Sequence, residues 1–451
     1  MTKDNQITFR LRDEFNREDI AIKVIKLLRS EIQISPLVID GSWGLGKTEF
    51  CHKLIHLMCE EDTHHLIYID AFKADHANEP LLTVLAKVLE VLPDKNEKRE
   101  LTKKAMPALR YSLKVGGKAL VSHLLRQDAD SVIEGFEDEV QKVADKAIDA
   151  SVESLLKDHI EAEKNLKGLQ DALKIIADKK PIVLFVDELD RCRPDFAVLM
   201  LETIKHTFDV DGVQFVLVTN TNQLKASINH CYGNNIDAQR YLDKFIKFTF
   251  TLPNTINENS NKTTIAAVRH YTNSVARSTI IKDLGLDKDA CLGLMKQVIT
   301  INNLSLREVE TLVRHMEIYQ TVSGGLIQNT HWVYKLMRLL GVLITSLKPD
   351  LANAILLNQL DAKRLGEFVG VDSRPKWEGG HPYPAHHEVL VVILGMECRY
   401  NQAQFVISDP EQIDLWNDLI HGYFNGCHWP PEEGERLKIV QETVEAIYLS
   451  N

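Results

Sequence analysis

The sequence predicts an α/β fold: a parallel five-stranded core sheet, a long helical insertion within it, and a mostly helical C-terminal region. Three observations predict it. Short apolar runs recur at residues 37–39, 66–69, 182–186 and 213–218, and continuous Val- and Ile-rich runs separated by helical stretches read as strands buried on both faces. The segment Gly41-Ser42-Trp43-Gly44-Leu45-Gly46-Lys47-Thr48 is a complete G-x-x-x-x-G-K-[ST] phosphate loop between the first apolar run and a helix-like stretch over 49–58. Beyond Pro253 the apolar spacing becomes helical.

The elements follow in order. Residues 1–15 are polar and charged, without the apolar stretch of a secretory signal. Asn16 is placed to cap a helix, with Asp19 three residues on and Ile20, Val24, Leu27 and Leu28 at helical spacing. In the loop, Gly41 and Gly46 let the backbone turn its N–H groups inward around phosphates. Ser42, Trp43, Gly44 and Leu45 complete the cradle, and Glu49 opens the helix whose positive end faces the same anion. Lys47 is suited to the β- and γ-phosphates and Thr48 to Mg²⁺.

About 110 residues separate the second strand from the third. Residues 75–91 supply the connecting helix, and 95–176 form an insertion that reads as helical throughout. Residues 95–126 hold nine Lys or Arg against two acids, and residues 127–164 hold twelve acids against four Lys. Halves of opposite sign suit a self-paired hairpin; the basic half also suits a partner, a nucleic acid or, less well, an anionic membrane surface. The fifth strand, 245–252, alternates in polarity. Residues 255–261 read as a polar linker, and 263–276, 287–300, 305–319 and 331–346 as helices. Residues 366–384 read as a loop, and 386–398 and 437–450 as helices. The organisation is a first part of the core over 1–94, the insertion over 95–176, a second part over 177–254, a helical lid over 255–350, and a C-terminal region of unassigned role over 351–451.

The third strand delivers Asp187 and Glu188 at its C-terminal end, where open α/β sheets bind ligands. Asp187 suits the Mg²⁺ shell, and Glu188 the orientation and deprotonation of an attacking water. Asp190 and Arg191 follow, either as a structural ion pair or with Arg191 facing a neighbouring subunit. Asn220, just past the fourth strand, is either a phosphate sensor or the cap of the next helix. Arg240 and Lys244 precede the fifth strand, where ATPases of the AAA type often carry a trans-acting arginine; a surface helix end is the plainer reading. Arg307, at a helix start in the lid, is a candidate second sensor. Asp70 suits a strand-end cap. His381, His386, His387, Cys398, Cys427 and His428 match no zinc spacing.

Bulk properties narrow the class. A net charge of −11 argues against a general nucleic-acid coat. No apolar run reaches the ~18 residues of a spanning helix. Seven cysteines without a C-x-x-C pair read as reduced thiols of a cytoplasmic protein.

These residues resemble the KAP family of P-loop NTPases. The resemblance rests on the 41–48 loop with its Trp43, on the string Asp187-Glu188-Leu189-Asp190-Arg191-Cys192, on Tyr241-Leu242-Asp243-Lys244-Phe245, and on the Leu252-Pro253 exit. It covers about residues 10–320. It implies an ASCE-type core that binds Mg-ATP, hydrolyses it, and couples the cycle to conformational change or assembly. The protein then acts as a homo-oligomer or as a subunit of a larger complex. A slow nucleotide switch or scaffold is the first alternative, and a nucleic-acid-stimulated motor using 95–126 the second. The family often carries a core insertion, sometimes with membrane helices, and two Asp residues where this chain has Asp187-Glu188. Its bacterial members include proteins linked to phage exclusion and defence.

Overall fold

The apolar runs assemble into one sheet. The computed structural model describes residues 7–77, 79–116, 152–259, 262–327, 330–427 and 431–449. Strands β1 (Leu37–Asp40), β2 (His65–Asp70), β3 (Ile182–Asp187), β4 (Val213–Thr219) and β5 (Phe248–Thr251) lie in the order β2-β3-β4-β1-β5, all parallel. Alternation explains the unbroken apolar runs. Ile182, Leu184 and Val186 of β3 enter one core layer, while Val183 and Phe185 enter the other. A strand buried on both faces needs apolar residues at every position. β4 separates the loop strand β1 from the acidic strand β3, which is the added-strand order expected of an ASCE-type core.

The chain divides into two compact units, Met1–Pro253 and Asn254–Asn451. In the first, α1 (Glu18–Leu28) and α2 (Lys47–Cys59) cover the face reached by Val183 and Phe185. The other face carries α4 (Pro80–Val91), α5 (Lys95–Gly116), α6 (Val152–Lys179), α7 (Pro194–Thr207), α8 (Thr221–Tyr232) and α9 (Ala238–Leu242); α3 (Ala71–Ala74) is a single turn after β2. Leu101 and Ala105 of α5 meet Leu169 and Leu173 of α6 within that core. Lys179 also pairs with Glu97 at 2.5 Å. The described arms of the insertion are thus helical. Residues 117–151, which hold eight of the twelve acids of the acidic half, are outside the described residues.

Three local expectations are corrected. Asn16 does not cap α1: it sits at φ 52° in the preceding turn. Asp13 takes that role, its carboxylate accepting the N–H groups of Arg17 at 2.8 Å and Glu18 at 3.0 Å. The fifth strand is shorter than 245–252, because α9 runs on into a turn. Phe245 N–H and Ile246 N–H both bond to the Leu242 carbonyl, which turns Phe245 into the core. The expected linker at 255–261 instead opens an antiparallel hairpin, β6 (Thr255–Asn259) with β7 (Lys262–Ile265). Its β-branched Thr and Ile residues suit strands, and Ile256 is buried.

The second unit continues with α10 (Ala266–Arg277), α11 (Asp289–Ile301), α12 (Leu306–Ser323), α13 (Trp332–Leu347), α14 (Pro349–Leu356), α15 (Ala362–Val369), α16 (His386–Gly395), α17 (Pro410–Tyr423) and α18 (Arg436–Ile447). Helices α14, α15 and α17 fill out the mostly helical C-terminal region at places where no individual helix was assigned, and α15 takes the first residues of the expected 366–384 loop. Val389–Gly395 of α16 is buried all round, as befits a central helix. Ser305 caps α12 in a full capping box with Glu308. Ser305→Ala is expected to lower stability by about 1 kcal/mol, read from a denaturant midpoint. Among the described residues, no helix is long and apolar enough to cross a membrane.

Candidate nucleotide-binding site

The parallel register aligns the chemistry along one edge of the sheet. Asp40 pairs with Thr219, Asp187 with Val218, and Asp70 with Asp187, so all lie at the carboxyl ends of their strands, the usual ligand edge of such sheets.

From β1 the chain enters the phosphate loop. Gly44 has φ 73° and Gly46 φ 81°, left-handed values that a side chain would strain. Helix α2 begins at Lys47, directly after Gly46, so its unpaired N–H groups and positive dipole face the loop. The Lys47 ammonium donates to the carbonyls of Gly41 at 2.6 Å and Ser42 at 3.1 Å, lying across the mouth of the cradle. Burial lowers its pKa, and Asp190, Asp187 and Asp40 act in the opposite direction. Beneath the loop, the buried guanidinium of Arg17 donates to Leu45 O at 2.9 Å and Pro253 O at 3.1 Å. Arg17 is thus a support for the loop that the sequence reading missed. A cation in an amphipathic helix start gives no signal of that contact.

The loop and the acidic strand meet at Asp187. Asp187 is 1% exposed, and its carboxylate accepts the Tyr68 hydroxyl at 3.0 Å and the Glu188 N–H at 2.8 Å, while the Thr48 side chain lies close enough to favour its charged form. Desolvation raises its pKa, and these hydrogen bonds pull it back. Two oxygens of hard-cation character therefore sit side by side, one from α2 and one from β3. Glu188 follows at φ 59°, and its N–H also meets Val218 O at 3.2 Å.

A family model, the KAP family P-loop domain, matches residues 17–323. The chain belongs to the KAP family. A comparison with curated proteins finds no match. The KAP match extends from Arg17 through Ser323, the last residue of α12, and it establishes a nucleotide-binding P-loop domain.

Within this KAP domain, the surroundings of the acidic pair differ from the sequence reading. Arg191 does not pair with Asp190. It pairs with Glu188 at 3.0 Å, three residues back across a tight turn. Burial raises the Glu188 pKa, and Arg191 opposes that rise. Asp190 instead accepts the Trp43 indole N–H at 2.5 Å and the Thr219 hydroxyl at 3.1 Å. Asp40 accepts the Thr221 N–H at 2.8 Å. Tyr68 and Asp40 were missed, and Thr219 was weighed only beside Asn220 as a sensor position; each is a polar residue in the last positions of a strand, the only signal the sequence carried.

Asn220 occupies the N-cap of α8, its side chain accepting the Asn222 N–H at 3.1 Å. Glu49, one turn before Lys53 on α2, pairs with it at 2.7 Å. Asp70 caps α3 through the Lys73 N–H at 3.0 Å. Arg240 lies on α9 with its side chain 87% exposed, paired with Asp237 at 3.3 Å. Lys244 lies over the Tyr241 ring. Arg307 is exposed near the start of α12, in the second unit. All seven cysteines are free.

Proposed function

We propose that this KAP domain binds Mg-ATP and hydrolyses it by in-line attack of water. The observation that carries the reading is the meeting of the phosphate loop with the acidic strand end, where Thr48 in the first turn of α2 lies beside Asp187 and Glu188 follows immediately. The pair suits Mg²⁺, which prefers a few protein oxygens and takes the rest from phosphate and water. When bound, Mg²⁺ neutralises charge on the β- and γ-phosphates. Loop N–H groups from Gly41 to Thr48 and the Lys47 ammonium bind the phosphates. Glu188 orients the water and accepts its proton. Asn220 hydrogen-bonds the γ-phosphate and the water from the α8 cap.

Arg240 serves a neighbouring copy's nucleotide, and Arg307 acts as a second sensor. The exposure of Arg240 supports the first role. Arg240→Ala is expected to leave nucleotide affinity within about threefold and to slow turnover by roughly 10³-fold. Equal turnover in the variant would exclude it as a finger. The ATP cycle then drives conformational change or assembly in the cytoplasm, and family membership supports a part in bacterial phage exclusion or defence.

One observation favours a slow nucleotide switch: Arg191 holds the Glu188 carboxylate that the water requires. Steady-state ATP hydrolysis by the purified protein, with its mass measured with and without ATP, separates the two. A switch stays near the ~10⁻⁴ s⁻¹ of unassisted GTPases, and an ATPase completed between copies accelerates with concentration.

A further inference from the structure

The phosphate loop, the turn after β3 and the end of β4 share one buried carboxylate. Asp190 takes the Trp43 indole N–H on one oxygen and the Thr219 hydroxyl on the other. Asp190 is 8% exposed and Thr219 fully buried, whereas Trp43 remains 48% exposed. Burial therefore does not explain where the Trp43 ring sits. Its hydrogen bond to Asp190 does. An ionised carboxylate is an acceptor only, so two donors on separate segments are held at a spacing fixed by its two oxygens.

The positions of those donors give the arrangement a direction. Trp43 is on the loop that wraps phosphate, four residues before Lys47. Thr219 directly precedes Asn220. Asp190 itself directly precedes Arg191, the residue that grips Glu188 at 3.0 Å. Asp190 is also foremost among the carboxylates acting on Lys47. A change in loop curvature pulls on Trp43, hence on the 189–191 turn and on the end of β4. A carboxylate serving only to staple the core would have no partner on the loop.

We infer that Asp190 is a positioning residue for hydrolysis, coupling the phosphate loop through Trp43 to the end of β4 through Thr219. The inference rests on the ATPase reading above. It requires Trp43 and Thr219 to act on the chemical step through one shared group, so that losing either contact breaks the same link.

The test combines kinetics with ¹⁵N-indole NMR on the full chain. The Trp43 resonance is assigned by its disappearance in Trp43→Phe. Asp190→Asn is expected to shift that resonance without nucleotide, and Mg-ATP to shift it in the wild type. Trp43→Phe and Thr219→Val should each lower kcat about tenfold while changing the Kd for a fluorescent ATP analogue by less than about threefold. Thr219→Ser, which keeps the hydroxyl, should hold the wild-type rate. The double variant should be no slower than its slower parent, because both act through Asp190. Losses that multiply, wild-type kcat in Trp43→Phe, or an effect confined to Kd would overturn the coupling while leaving the ATPase reading intact. A wild type that binds Mg-ATP without turnover would overturn the ATPase reading, and the coupling with it.

Discussion

Glu188→Gln is expected to slow ATP turnover by about 10²–10⁴-fold, the range for removing a general base. Gln keeps the size of the side chain and still offers Arg191 an acceptor oxygen, so the turn over 189–191 keeps its shape. What it loses is the ability to take a proton from water. Asp187, Thr48 and Lys47 are untouched, so affinity for Mg-ATP should remain within a few fold. The variant should then accumulate in its ATP-bound form. If assembly depends on ATP, its mass in the presence of ATP will exceed that of the wild type under turnover. The measurement is single-turnover hydrolysis beside equilibrium binding. Turnover within about threefold of wild type would remove Glu188 from the base role and leave the Arg191 contact as its whole purpose.

The second large effect lies at the loop. Lys47→Met is expected to weaken nucleotide binding about 10–100-fold, by the loss of charged hydrogen bonds to phosphate. Lys47 already sits across the cradle, on the carbonyls of Gly41 and Ser42, so little rotamer freedom remains to be lost on binding. A thermal-shift series reads the outcome. At nucleotide equal to 100 times the wild-type Kd, ligand binding stabilises the wild type by about 2.7 kcal/mol; with affinity 100-fold weaker, the gain falls to about 0.4 kcal/mol. Each protein is compared with its own nucleotide-free melt, so any change that Met makes to the fold cancels. A full nucleotide-induced shift in the variant would show that Lys47 is not a phosphate ligand.

How much of this was legible follows from the range over which each feature acts. β3 was legible because all six of its residues are buried, and the five-residue apolar run 182–186 before Asp187 suits a strand covered on both faces. The phosphate loop was legible because its glycines, lysine and threonine are adjacent in sequence and meet the ligand as one local unit. The fifth strand was legible only in outline. Whether Phe245 began it depended on where α9 stopped, and the Leu242 carbonyl settles that with two hydrogen bonds. For the cap of α1 the sequence points to Asn16, the nearest suitable residue, but a carboxylate farther back reaches two N–H groups where Asn16, at positive φ, reaches none. The hairpin over 255–265 was hidden by its Asn and Lys residues, although Thr255, Ile256, Thr263, Thr264 and Ile265 are all β-branched.

By itself the sequence determined the fold class, the number of core strands, the phosphate loop and the acidic pair at the end of β3, because each is written in neighbouring residues or in a period of two. The tertiary structure alone decided which partner each acidic group takes: Thr48 and Tyr68 on Asp187, Arg191 on Glu188, Trp43 and Thr219 on Asp190. Those partners stand up to 147 residues apart. Apart from Arg191, which is local to its turn, they meet because β3 pairs with both β2 and β4, and β4 with β1, which brings the strand ends level. Hydrogen bonds of about 3 Å leave no trace in periodicity, so their assignment waits on the register of the sheet.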